Sequence, residues 1–257
     1  MSKVKGAQVH CRFEGGICEL VLDNPGRKNA LSLSLLDDLN ARLIEARDGK
    51  ARAVVLMGSG NTFSAGADLA DLTGTADDLA IDKAIEQAVD CIRSLPGPVI
   101  AAVEGACMGG AVDIALACDA LVVSEEAFFQ VPATRLGLLY NPRAIRRWHN
   151  RLGAVALRSM LLLGERFTAE TAVRVGLASH LVPAGGARDK SWDLARAAAM
   201  GTQDAVAATK GLLTALESGD TDLKRWEKVY NEILNSTERR ESVGSAKKKA
   251  NRKASES

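Results

Sequence analysis

The stretch "GPVIAAVEGACMGGAVDIALACDALVVS", residues 97–124, limits what this chain can fold into more than any other. Its 28 residues include only three charges, Glu104, Asp113 and Asp119, and it divides into an apolar strand, a Gly-rich turn, a helix and a second apolar strand. Strand, helix and strand in that order make a βα unit and imply a mainly parallel sheet.

The flanking sequence agrees. "VHCRFEGGICELVLDNP" alternates around Gly15-Gly16 as a strand, a turn and a second strand, and Asn24-Pro25-Gly26 stops it. "ARAVVLMGSG" is a continuous apolar run, as expected of a strand buried on both faces. "AFFQVP" is a short extended segment and "SHLVPAG" a strand-like return. Leu35, Leu36, Leu39, Leu43 and Ile44 fall at the helical period behind Ser32 or Ser34, either of which can cap a helix. Further helices are expected over residues 77–94, 144–163 and 168–176, and helix throughout 190–235. The last segment, with Lys247, Lys248, Lys249, Arg252 and Lys253, is expected to be a frayed, solvated tail. Strands stop near residue 190, which divides the chain into a core (1–190) and a helical region with a basic tail (191–257).

Composition narrows the function. A formal net charge of +1 gives no reason to expect nucleic acid or an anionic membrane as partner. Aromatics are only 4 %, so the interior must be built from Ala, Val, Leu and Ile. Five cysteines without a C-x-x-C pair and only three histidines argue against a disulfide framework or a zinc site. The first residues lack an apolar signal-like core and no run approaches a membrane span, so a cytoplasmic protein is expected.

Two Gly-rich turns carry the chemical signal, "FSAGADL" (63–69) and "GACMGGAVD" (105–113). Neither is a dinucleotide fingerprint or a Walker loop. Both place small residues where a strand hands over to a helix and backbone N–H groups are left unsatisfied. Two such groups converging on one oxygen form an oxyanion hole, suited to an enolate or a tetrahedral oxyanion. Asp113 lies one helical turn beyond Gly110, in an otherwise apolar helix where a carboxylate is costly to bury without purpose.

"NPGRKNALS", "FSAGADL", "PVIAAVEGACMGGAVDIALACD", "AFFQVPATRLGL" and "GERFTAETAVRVGLASHLVP" resemble, in order and spacing, the crotonase superfamily of enoyl-CoA hydratase/isomerase enzymes. The resemblance covers roughly residues 8–240 and implies an α/β spiral of ββα units with a helical C-terminal region. It also implies a homotrimer or dimer of trimers, and an acyl-CoA thioester as partner, with no cofactor besides the coenzyme A carried by the substrate. By the same resemblance Ala67 and Gly110 supply the oxyanion-hole N–H groups, and Ala65, Gly66, Asp68, Leu69, Gly109, Ala133 and Asn141 line the substrate site. Arg27 and Lys28 fall where relatives place basic residues near CoA phosphates, with a solvated turn as the alternative. For Asp68 helix capping is the competing role.

Hydratases of this family use two glutamates. Asp113 stands at the first position, as Asp does in the dienoyl-CoA isomerases, and would be the principal acid/base. Ala133 stands at the second, and Asn141 aligns with the extra acid of those isomerases. "LGLLYN" (136–141) resembles a segment of methylmalonyl-CoA decarboxylases whose Tyr faces the reacting carboxylate, which makes Tyr140 a catalytic candidate. Arg135 and Arg143 are expected at the surface or between subunits. Three functions stay open at this point: a hydratase/isomerase, a malonyl-type decarboxylase, or an acyl-CoA-binding protein that has lost its catalysis.

Overall fold

The computed structural model describes residues 6–24, 26–220 and 222–255; Pro25 of the Asn-Pro-Gly stop and the first five residues lie outside them. β1 (Gln8–Glu14) and β2 (Ile17–Asp23) pair antiparallel across Gly15 and Gly16, both at positive φ. β2 starts a parallel run that continues with β3 (Ala53–Gly58), β4 (Val99–Val103), β6 (Ala120–Ser124) and β9 (His180–Val182). The resulting sheet has the order β1-β2-β3-β4-β6-β9. A smaller sheet holds β5 (Ala106–Met108), β7 (Phe128–Gln130) and β8 (Phe167–Thr168), with β7 in the middle. The chain lays β1 to β4 in the large sheet, crosses to the small sheet for β5, returns for β6, crosses again for β7 and β8, and comes back for β9.

Helices cover the large sheet. On one side lie α1 (Leu33–Asp48), α2 (Leu79–Ser94), α3 (Gly110–Ala117), α4 (Pro142–Leu161) and α5 (Ala169–Arg174), whose apolar faces share one continuous core with Val54, Leu56, Ala101 and Leu121 of the sheet. On the other side α6 (Ala187–Ala199) presses Trp192 and Ala195 onto Ala53, Val55, Ile100, Ala102 and Val122. Alternate residues of β3 therefore enter two cores, which is why its sequence is apolar without a break. The division near residue 190 falls inside α6.

Three helical expectations change. Helix does not run unbroken through 190–235: α6 ends near Met200, α7 spans Gln203–Glu217 and α8 Leu223–Leu234, separated at Gly201 and Gly219. The helix expected from 144 starts at Pro142, because Asn141 accepts the N–H groups of Arg143 (2.9 Å) and Ala144 (3.5 Å) as N-cap. It is interrupted at Gly153, whose φ of 75° and ψ of 166° are not helical. The polar tail is helical, α9 (Thr237–Ser255), rather than frayed; the side chains of Lys249 and Lys253 lie outside the described ones.

α7 buries one side chain, Lys210. Its Nζ donates to the carbonyl oxygens of Ile92 (3.1 Å) and Gly97 (3.0 Å) and pairs with Asp119 (2.8 Å). Among the described residues no helix is long and apolar enough to cross a membrane.

Candidate active site

The two Gly-rich turns lie against each other. Ser64 N donates to Ala106 O (3.0 Å) and Met108 N to Ser64 O (3.0 Å), so residues 64–67 run beside 106–109 in parallel. From the other side, residues 28–31 hold the first loop: Ala65 N donates to Lys28 O, Leu31 N to Gly66 O and Asp68 N to Leu31 O. Gly66 has φ of 87°, and a Cβ there would lie 2.6 Å from Met108 O. A side chain is excluded by backbone, not by a neighbour that could turn away. Gly109, also at positive φ, turns the chain into α3, and a Cβ on Gly110 would meet Ile85 Cδ1 at 2.5 Å. Neither Ala67 N nor Gly110 N donates a hydrogen bond to a described residue. Two orphan donors therefore sit on adjoining loops, one of them at the positive end of a helix.

Asp113 is almost fully buried, with 2 % of its surface exposed. Trp148 Nε1 donates to its Oδ1 (2.8 Å) and Arg147 Nη2 to its Oδ2 (2.8 Å). Arg147 also forks onto Glu86 of α2 (2.7 and 3.1 Å). Burial pushes the Asp113 carboxyl up, against the opposing pull of Arg147 and the Trp148 indole. Each carboxylate oxygen still has a free lone-pair direction. Tyr140 is half-buried, with its ring centroid 4.8 Å from that of Trp148, and its hydroxyl donates to Gly109 O (3.2 Å). Burial, then the charges of Asp113 and Asp82, push the phenol well up, so it stays protonated. Asp113, Tyr140 and the Gly110 turn thus form one neighbourhood.

The Enoyl-CoA hydratase/isomerase family model matches residues 12–253 of this chain. The chain belongs to that family. Its crotonase fold, two sheets followed by C-terminal helices, is shared with the crystal structure of an enoyl-CoA hydratase/isomerase family protein from Hyphomonas neptunium, with a TM-score of 0.89 and 31 % identity over 94 % of this chain and 95 % of that one. The structure of Pseudomonas aeruginosa DspI superposes with a TM-score of 0.87 at 27 % identity, covering 96 % of this chain and 97 % of that one. In sequence the chain is 37 % identical over 191 residues to the probable enoyl-CoA hydratase echA6 of Mycobacterium tuberculosis, spanning 74 % of this chain and 76 % of that protein.

The other residues that the crotonase resemblance singled out take varied places. Ala133 is buried and opens a short 3-10 turn, so a methyl group stands at the position of the second family glutamate. Asn141 spends its amide oxygen on the α4 cap. No helix starts at Asp68; it accepts from Ala70 N (3.0 Å), which closes a local turn, and takes both bonds of Arg27 Nη1 (2.7 and 2.8 Å). Lys28, at φ of 52°, and Leu69 are exposed. Arg135 reaches Gly164 O, and Arg143 is largely exposed. Arg147, Trp148 and Glu86 escaped the sequence reading. The one signal for them was an arginine-tryptophan pair within an amphipathic helix, which does not say what it faces.

Proposed function

We propose that the protein binds an acyl-CoA thioester, with the thioester oxygen between Ala67 N–H and Gly110 N–H, and performs hydratase/isomerase-type chemistry through the enolate held there. The observation that carries this reading is the pair of unpartnered donors on two interlocked loops. Donors fixed before the substrate arrives need no reorganisation as negative charge develops on the oxygen. Asp113 is the principal acid/base, oriented by Arg147 and Trp148, and Ala65, Gly66, Leu69 and Gly109 flank the ligand. Turnover of short and medium 2-enoyl-CoAs tests it. Asp113→Asn is expected to cut kcat by about 10²–10⁴-fold, and equal rates in the two proteins would overturn the assignment.

A second reading, decarboxylation of a malonyl-type CoA, is favoured by Ala133 together with Tyr140, which places a neutral donor beside the oxyanion loop. Enolate stabilisation and one proton suffice for that reaction. CO2 release from methylmalonyl-CoA decides between the two, and release no faster than background removes the second.

A further inference from the structure

With Ala133 at the position of the second family glutamate, Asp113 alone would have to take the proton of water and pass that same proton to the α-carbon, a demand that a second acid removes. The geometry points to Asp82, on α2, as the second acid–base group of this site. This inference rests on the acyl-CoA reading above.

α2 is the helix that packs against the oxyanion turn. Ile85, three residues after Asp82, supplies the methyl group that would collide with a Cβ on Gly110. Glu86, four residues after it, holds the arginine that grips Asp113. Residues three and four apart share one face of a helix, so Asp82 stands one turn further along the face that meets the site. Its charge is felt by Tyr140, whose hydroxyl touches the same turn.

Asp82 differs from every other carboxylate of the cluster. Glu86 and Asp113 share Arg147, whereas Asp82 makes no hydrogen bond or ion pair with a described residue. It is partly buried, and burial followed by the charges of Glu86 and Asp78 pushes its carboxyl pKa up. The carboxylate beside a cation serves as base, and the carboxyl group without one serves as acid.

Ionised Asp113 takes a proton from water while the water oxygen bonds to Cβ of the 2-enoyl thioester. The Cα=Cβ pair moves onto the thioester oxygen between the Ala67 and Gly110 N–H groups. The enolate then returns that pair to Cα, which takes the proton of Asp82. One H and one OH have been added; Asp113 is protonated and Asp82 ionised, and proton exchange through water restores both.

Wild type, Asp82→Asn, Asp82→Glu and Asp113→Asn are compared in three measurements: hydration rate, deuterium uptake at Cα of a saturated acyl-CoA in D2O, and the dissociation constant of that thioester. Asp82→Asn is expected to bind within about twofold of wild type yet lose hydration by at least ~100-fold, with Asp82→Glu recovering part of it. A merely structural Asp82 would change binding or melting temperature along with rate. Wild-type kcat in Asp82→Asn, with Asp113→Asn inactive, overturns the role of Asp82 and leaves the acyl-CoA reading intact. Absence of both hydration and deuterium uptake in wild type overturns that reading and this inference together.

Discussion

Two buried carboxylates in this molecule are gripped by the same pair of partners, an arginine and a tryptophan indole. On β2, Glu19 takes Arg188 Nε (2.8 Å) and Nη2 (3.0 Å) and Trp192 Nε1 (2.6 Å), all from α6. On α3, Asp113 takes Arg147 and Trp148 from α4. Their acidities nevertheless move in opposite directions. Burial raises Glu19, but the hydrogen bonds of Arg188 and Trp192 outweigh it and leave the carboxyl below its ordinary value. For Asp113 burial wins and the net shift is upward. Arg188 forks onto Glu19 alone, whereas Arg147 gives its fork to Glu86 and only one bond to Asp113. Asp113 is the more deeply buried of the two, so burial costs its anion more, and a shared cation offsets less of that cost. The Glu19 set pins a helix to a sheet; the Asp113 set lies beside two orphan N–H groups and holds its proton more tightly than a free aspartate.

The two clusters differ most at their arginines. Arg147→Met strands two carboxylates on facing helices and is expected to cost about 3–5 kcal/mol. Arg188→Met should cost clearly less, since Arg188 is 41 % exposed and water screens its pair. Urea unfolding measures both, and equal losses would show that sharing the cation is irrelevant.

A smaller effect is expected at the indoles. Trp148→Phe and Trp192→Phe each remove one hydrogen bond to a buried anion, about 1.5–3 kcal/mol by denaturant titration. Only Trp148→Phe, which also alters the ring under Tyr140, should lower turnover; parallel losses of activity would place Glu19 in the catalytic machinery.

The finest test is pH. Glu19, depressed below 4.5, binds fewer protons folded than unfolded, so its stabilisation is full above that value and is lost as pH falls through the folded pKa. Asp113, raised above 3.8, binds more protons folded, so its contribution turns against folding as pH climbs from there. Stability measured between pH ~3 and ~6 should lose its acid-side fall in Glu19→Gln and its opposing slope in Asp113→Asn. Slopes of the same sign in the two variants would contradict the assigned directions.

What the sequence disclosed follows from which interactions are local. Ser32 is readable as a cap because its partner, Leu35 N, is three residues away. β3 is readable because burial on both faces leaves it no polar position. Gly66 and Gly109 are readable because a backbone approach and a positive φ admit little else. Asn141 was legible only in part: its place at a pocket wall came from resemblance, whereas the proline behind it marks a helix start, and capping is what its side chain does. Glu86, Asp113 and Arg147 lie 27 to 61 positions apart, and nothing in their neighbours says that they meet. Asp82 was invisible for the same reason, as one acid among several on an amphipathic helix.

Lys210 ties the C-terminal region to the frame of the candidate site. Its ammonium gathers the last turn of α2, the bend after it, and the aspartate just past α3, and so ties together the far ends of the two helices whose near ends flank the oxyanion turn. A chain cut short before this residue would keep every group of the candidate site. It would also leave Asp119 without its cation and two carbonyl oxygens without their shared donor. Trimming the molecule to its sheets would therefore loosen the frame behind the candidate site while leaving all of its residues in the chain.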